Sequence, residues 1–416
     1  MSPDRFEADY LIETALDPRA AAEAMAGEQS SGTFIAIPGE TPELKARAAA
    51  TVERLELLDT VAEPSLPGAR ADGAIHRAFV TLSWPLANIG PSLPNLMATV
   101  AGNLFELQHF SGLRILDIRL PPAFAKRYPG PRFSIEGTRR LAGVASGPLI
   151  GTIIKPSIGL DPKGTAALVD ALCGADIDFI KDDELQSDGP GCPFDDRARA
   201  VMTVIHRHAD RLGRKVMFAF NLTGEIDEMR RRHDVVAELG GTCVMASLNA
   251  VGLTGMIELG RHSALPIHAH RNGWGYLSRH PLLGWSYVAW QKLWRLAGAD
   301  HMHVNGLANK FCESDASVIE AARACLTPMF DDKHCLAMPV FSAGQSARQA
   351  PDTLRVLGSM DLIYAAGGGV IGHPDGAAAG VASLRQAWDA AERGIALAEH
   401  AESHPPLARA LEAYSA

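Results

Sequence analysis

From about Gly147 onward, short apolar runs recur along the chain: Leu149–Ile154, Ile177–Lys181, Val216–Phe220, Cys243–Ala246, Ile267–His270, His301–Val304, Cys335–Phe341 and Leu362–Ala365. Runs of this length without polar alternation predict strands buried on both faces. Seven of the eight segments that follow them read as amphipathic helices, the one after Ala246 being the weakest. The clearest is Asp195–Leu212, where Ala198, Val201, Met202, Ile205, Ala209 and Leu212 share one face. Asp195 and Asp196 favour its amino end and Gly213 closes it. Eight strand–helix units in about 250 residues predict a (β/α)8 barrel, placed at 136–416. Before it the rhythm is irregular. Strands are predicted over Ala8–Leu16, Gly32–Ile37, Ala74–Trp84 and Leu113–Leu120, and helices over Pro18–Ala26, Leu44–Arg54 and Pro94–Phe105. This interleaving predicts an α+β domain over 1–135, with the connector at Phe124–Arg139, where Pro129 and Pro131 fall.

Composition narrows the class. The 416 residues are 47% hydrophobic and 21% charged, with no apolar run near membrane-spanning length. The net charge of −9 argues against nucleic acid as a partner, so an anionic ligand needs a local pocket. Six scattered cysteines with no C-x-x-C pair read as reduced thiols. The start Met1-Ser2-Pro3-Asp4-Arg5 lacks a secretory pattern, and a cytoplasmic protein is expected.

Active sites of such barrels lie at the carboxyl ends of the strands. Those ends carry Lys155, then Lys181, Asp183 and Glu184, then Asn221, His268, His270 with Arg271, His303, Ser342 with Gly344, and Gly367-Gly368-Gly369. In Asp178–Glu184, alternation puts Lys181 and Asp183 on one face with Glu184 just beyond. A lysine among carboxylates is commonly an ion pair. At the end of an apolar run, however, an amine tends toward its neutral form. A neutral amine can capture carbon dioxide as a carbamate, giving three oxygen anions of the kind magnesium prefers. Both readings stand on the heptapeptide alone. The triple glycine with Ser342 and Gly344 matches the pair of loops where barrels bind phosphate, as against plain turns. Arg271 suits a phosphate or carboxylate, and His270 at a strand end can move protons. His268 reads more simply as a core histidine. Lys155 reads as catalytic rather than a snorkelling side chain. Lys310 lies in a glycine-containing loop that could act as a lid, and on its residues alone reads more simply as a solvated lysine.

Taken in order, Gly151-Thr152-Ile153-Ile154-Lys155-Pro156, Asp178–Glu184, His268-x-His270-Arg271, His301-x-His303, Lys310, Ser342-x-Gly344 and Gly367-Gly368-Gly369 resemble ribulose-1,5-bisphosphate carboxylase/oxygenase (RuBisCO). The likeness extends to Glu28-Gln29-Ser30-Ser31-Gly32-Thr33 and Gly102-Asn103-Leu104-Phe105. The resemblance implies a ferredoxin-like amino-terminal domain before the barrel. It implies Mg2+ on Asp183, Glu184 and a Lys181 carbamate formed from CO2, with Lys155, His270 and Lys310 also catalytic. Arg271, His303 and Ser342 would hold one end of the substrate, and Gly344, Gly367, Gly368 and Thr33 a phosphate at the other. Glu28 and Asn103 would enter from a second subunit of a homodimer.

Departures point away from carbon dioxide fixation. Ser157 stands where carboxylases carry a second lysine, Ile153 replaces a threonine, Phe34 replaces a tryptophan, and the lid reads Asn305-Gly306-Leu307-Ala308-Asn309-Lys310-Phe311. The chain therefore resembles a RuBisCO-like protein. Its lid is most similar to the branch acting on 3-oxo-isoapionate 4-phosphate in apiose catabolism. The expected activity is Mg-dependent decarboxylation of that β-keto sugar acid through an enediolate. The alternatives are a transcarboxylase/hydrolase giving 3-phosphoglycerate and glycolate, an enolase or isomerase of a methylthio-sugar phosphate, and a non-catalytic sugar-phosphate sensor.

Overall fold

The computed structural model describes residues 4–32, 37–70 and 72–414, and the chain divides into two compact units. The first unit is Met1–Tyr128 with Gly273–Leu296, and the second is Pro129–Asn272 with Ala297–Ala416.

In the first unit, strands β1 (Arg5–Thr14), β2 (Thr51–Val61), β3 (Ile75–Pro85) and β4 (Gly112–Arg119) are joined with helices Pro18–Glu28 and Leu93–Val100. The order β4–β1–β3–β2, every neighbour antiparallel, is the ferredoxin-like βαββαβ arrangement. Alternation along β1 buries Phe6, Ala8, Tyr10 and Ile12 on one face, with Phe6 stacked on Trp84 at 5.4 Å. The helix expected over Leu44–Arg54 spans Pro42–Ala48 instead, and β2 follows. Alanines 48–50 favour helix by propensity, while β2 is an edge strand with no buried residue and gives no inside–outside alternation. The strand expected at Gly32–Ile37 lies largely outside the described residues. The expected connector holds the end of helix Pro122–Arg127 and the start of helix Ser134–Ala142.

The second unit is a closed barrel of eight parallel strands: β5 (Leu149–Ile153), β6 (Phe179–Lys181), β7 (Met217–Asn221), β8 (Cys243–Ser247), β9 (Ile267–His270), β11 (His301–His303), β12 (Met338–Phe341) and β13 (Ile363–Ala365). Leu149, Phe179, Met217, Cys243, Met245, Met338, Val340 and Ile363 pack into one buried cluster, which is why these runs carry no polar alternation. The weak helix after Ala246 is Leu248–His262, broken inside at Gly252 (φ 70°).

A detour separates β9 from β11. Gly273–Leu296, which the sequence reading left inside the barrel domain, belongs to the first unit. It contributes β10 (Leu283–Trp285), which pairs in parallel with β4. At Gly284 (φ +85°) a Cβ would lie 1.9 Å from the Leu277 carbonyl oxygen, so only glycine fits.

Candidate active site

Strand β6 delivers the acidic cluster. Lys181 is buried to 1% exposure, and its Nζ donates to the Asp182 carbonyl at 2.8 Å and to Glu184 Oε2 at 3.2 Å. Burial pushes its pKa down, against the pull of Glu184 and Asp183. Asp183 is equally buried and accepts from Lys155 Nζ at 2.6 Å. Lys155, at the end of β5, also donates to Ser157 at 2.8 Å and keeps 43% of its side chain exposed. Burial alone would raise the pKa of Glu184, but His270, Lys181 and backbone hydrogen bonding hold it at about 2.

Asp182, between these residues, turns the other way. It pairs with Arg197 at 3.2 Å, both side chains fully buried, and accepts the Asn221 amide at 3.0 Å. This pair, which the sequence reading passed over, fixes the backbone from which Lys181 and Asp183 project. Its one sequence signal is an arginine inside the apolar face of helix Phe194–Leu212. The donor set suits a hard divalent cation. Two carboxylates each already engage a lysine nitrogen, and the buried amine is disposed to the neutral form that carbamylation requires.

Beside the cluster stands a column of imidazoles from β9 and β11. His270 Nε2 lies 3.4 Å from Glu184 Oε2, and its Nδ1 accepts the Asn272 backbone N–H at 3.2 Å. Burial, then the Lys181 charge, lowers its pKa to about 4, so the ring is neutral at working pH. His303 lies between His270 and His268, with ring centroids at 4.5 and 4.7 Å. His303 Nδ1 is 3.0 Å from Ser342 Oγ.

Arg271 pairs with Glu313, a residue the sequence reading missed. Glu313 also accepts from Asn305 Nδ2 and Ser317 Oγ, each at 2.8 Å, tying the start of the lid to Arg271. Lys310 is exposed, with Nζ 5.3 Å from the Phe311 ring centroid rather than on the acidic cluster. Its backbone N–H donates to the Ala343 carbonyl at 3.2 Å, and Gly344 (φ +92°) lies against it.

The triple glycine, expected as an open loop, forms a one-turn helix, Gly367–Ile371, directly after β13. A Cβ on Gly369 would meet the Gln345 carbonyl oxygen at 2.6 Å, whereas one on Gly368 would meet nothing within 4 Å. The Tyr414 hydroxyl donates to the Gly368 carbonyl at 3.1 Å. In the first unit, Glu28 and Asn103 are both exposed. Gln29 links their segments, its amide nitrogen donating to the Thr99 carbonyl at 3.2 Å and its oxygen accepting the Asn103 N–H at 2.9 Å. Thr33 and Phe34 lie outside the described residues.

His233, Asp234 and His262 also bring three potential ligand atoms together. There Asp234 bridges both imidazoles, at 2.9 and 2.7 Å, and His233 Nε2 accepts the Ala264 N–H at 3.0 Å. That leaves both nitrogens of His233 engaged. No helix among the described residues is long and apolar enough to cross a membrane.

Residues 134–414 match the family model of the ribulose bisphosphate carboxylase large chain, catalytic domain, and residues 8–124 that of its N-terminal domain. A 3-oxo-isoapionate-4-phosphate transcarboxylase/hydrolase of Xanthobacter autotrophicus is 60% identical over 408 residues, covering 98% of this chain and 99% of the relative. A 3-oxo-isoapionate-4-phosphate decarboxylase of Rhizobium etli is 43% identical, covering 98% of each. The crystal structure of a rubisco-like protein from Burkholderia fungorum has a TM-score of 0.93 at 49% identity, over 99% of this chain and 100% of that one.

Proposed function

The chain belongs to the RuBisCO large-chain family as a RuBisCO-like protein, and from that premise we propose that it is a magnesium-dependent enzyme acting on 3-oxo-isoapionate 4-phosphate. The observation that carries this reading is Lys181, an amine fully buried at the mouth of the barrel between Asp183, Glu184 and the imidazole column. From the sequence, simple decarboxylation is the expected activity. The 60% relative, against 43% for the decarboxylase, favours transcarboxylation with hydrolysis to 3-phosphoglycerate and glycolate.

Asp183, Glu184 and a Lys181 carbamate would hold Mg2+, which when bound supplies a Lewis acid for the keto oxygen of the substrate. On this route the carboxylate leaves one carbon as CO2 and re-adds to the adjacent enediol carbon. Water then attacks the new ketone and splits the carbon–carbon bond, so that glycolate departs and the electron pair left on a carbon of the three-carbon fragment must be capped by a proton. Lys155, half exposed beside Asp183, would deliver a proton to that carbon. Neutral His270 is suited to take or return a proton at a neighbouring hydroxyl. Arg271 and Ser342 would fix one end of the substrate, and Gly344, Gly367 and Gly368 would offer backbone to the phosphate. Lys310 would close over the site on its lid. Exposed Glu28 and Asn103, held together through Gln29, support a homodimer in which each subunit completes its partner's site.

Incubating the protein with Mg2+ and the substrate, and measuring glycolate, 3-phosphoglycerate and released CO2, tests the reading. Glycolate without net CO2 is expected. CO2 with a tetrulose phosphate would identify the decarboxylase, and no turnover would remove the proposal. Lys181→Ala is expected to abolish turnover and the response to Mg2+ while the far-UV circular dichroism is kept.

A further inference from the structure

Deeper in the imidazole column lies a histidine that the proposed chemistry does not use. His268 is completely buried, from β9, and its Nε2 sits 2.8 Å from His303 Nε2. Two imidazole nitrogens at that distance share one proton, since two bare lone pairs or two N–H groups would repel. Burial keeps both rings in the neutral form, so two arrangements exist.

In one, His303 carries its proton on Nε2 and accepts the Ser342 hydroxyl at Nδ1. The proton of His268 is then on Nδ1, a buried atom with no hydrogen-bond partner. In the other, His268 donates from Nε2 to His303, and His303 donates from Nδ1 to Ser342 Oγ, 3.0 Å away. What is left unused is a lone pair on His268. Orphaned buried N–H groups are rarer in folded proteins than under-used acceptors, which favours the second arrangement.

We infer that His268 is a positioning residue: by donating to His303 it forces the His303 proton onto Nδ1, so that Ser342 accepts there and turns its own hydroxyl proton into the cup. Ser342 then serves as an obligate donor, selecting an anionic oxygen, carboxylate or phosphate, at that end of the site. The relay rests on the His268–His303–Ser342 spacing with both rings neutral. Its consequence for catalysis rests on the function proposed above.

Two measurements separate these. Solid-state 15N NMR of histidine-labelled protein, with His303 assigned from a His303→Gln variant, reads the tautomer without any substrate. Protonated Nδ1 and bare Nε2 on His303 are expected, and protonated Nε2 overturns the relay. For catalysis, kcat/KM is measured on 3-oxo-isoapionate 4-phosphate for His268→Phe, Ser342→Ala and the double variant. Each single change is expected to lose about tenfold, the scale of one hydrogen bond to a charged group. The double variant is expected to lose no more than Ser342→Ala, and His268→Gln, which keeps a donor, to recover most of the activity. Losses that multiply would make His268 a packing residue and overturn the inference. Absence of turnover would count against the function alone, and the tautomer would still decide the relay.

Discussion

At the level of single side chains, the candidate site is backed by a residue whose carboxylate turns away from it. Asp182 lies between Lys181 and Asp183, and its carboxylate is held by Arg197 and the Asn221 amide, all within the barrel. Burial raises the pKa of Asp182 against the pull of Arg197. Replacing Arg197 with methionine keeps much of the apolar stem but leaves that carboxylate buried without its partner. A loss of about 3–5 kcal/mol in unfolding free energy is expected, by denaturant titration, as for other broken buried pairs. Arg197 was hard to identify in sequence because it stands among the apolar positions of its helix, where an arginine reads as a solvated interruption.

The glycine turn after β13 makes a sharper statement at the level of an element. Gly369 faces the Gln345 carbonyl at a distance no Cβ allows, while Gly368 faces open space. Gly369→Ala is therefore expected to overpack the turn and cost about 1–3 kcal/mol of stability. Gly368→Ala is expected to melt within a degree or two of the wild type yet raise KM, because its methyl would intrude where the phosphate is proposed to approach. Thermal melts alongside KM for the two variants check this, and equal effects on both would refute the assignment. The sequence reading found the glycines but not the helical turn, since a triple glycine has no propensity to form one. The turn is held instead by its surroundings, including the Tyr414 hydroxyl, 45 residues or more along the chain.

For the molecule as a whole, the proposal requires two copies. Glu28 and Asn103 lie in the first unit and Lys181 in the second. If each site draws on both chains, a Glu28→Ala/Asn103→Ala variant and a Lys181→Ala variant are each inactive as homodimers. Co-expressed, they form heterodimers with one site free of both lesions. Partial recovery of activity is expected in the purified heterodimer, and none would mean that each chain works alone.

Periodicity and the order of polar residues at strand ends were enough to read a barrel and the Lys181–Glu184 cluster at its strand ends. A strand buried on both faces must be apolar along its length, and function can enter only where that run stops, so both leave a mark in one dimension. The chain's excursion through β10 left no such mark, nor did the unburied edge strand β2, the link from Glu313 to Arg271, or the proton order along His268, His303 and Ser342. Each is set by partners distant along the chain, whose meeting depends on how the backbone is folded in space.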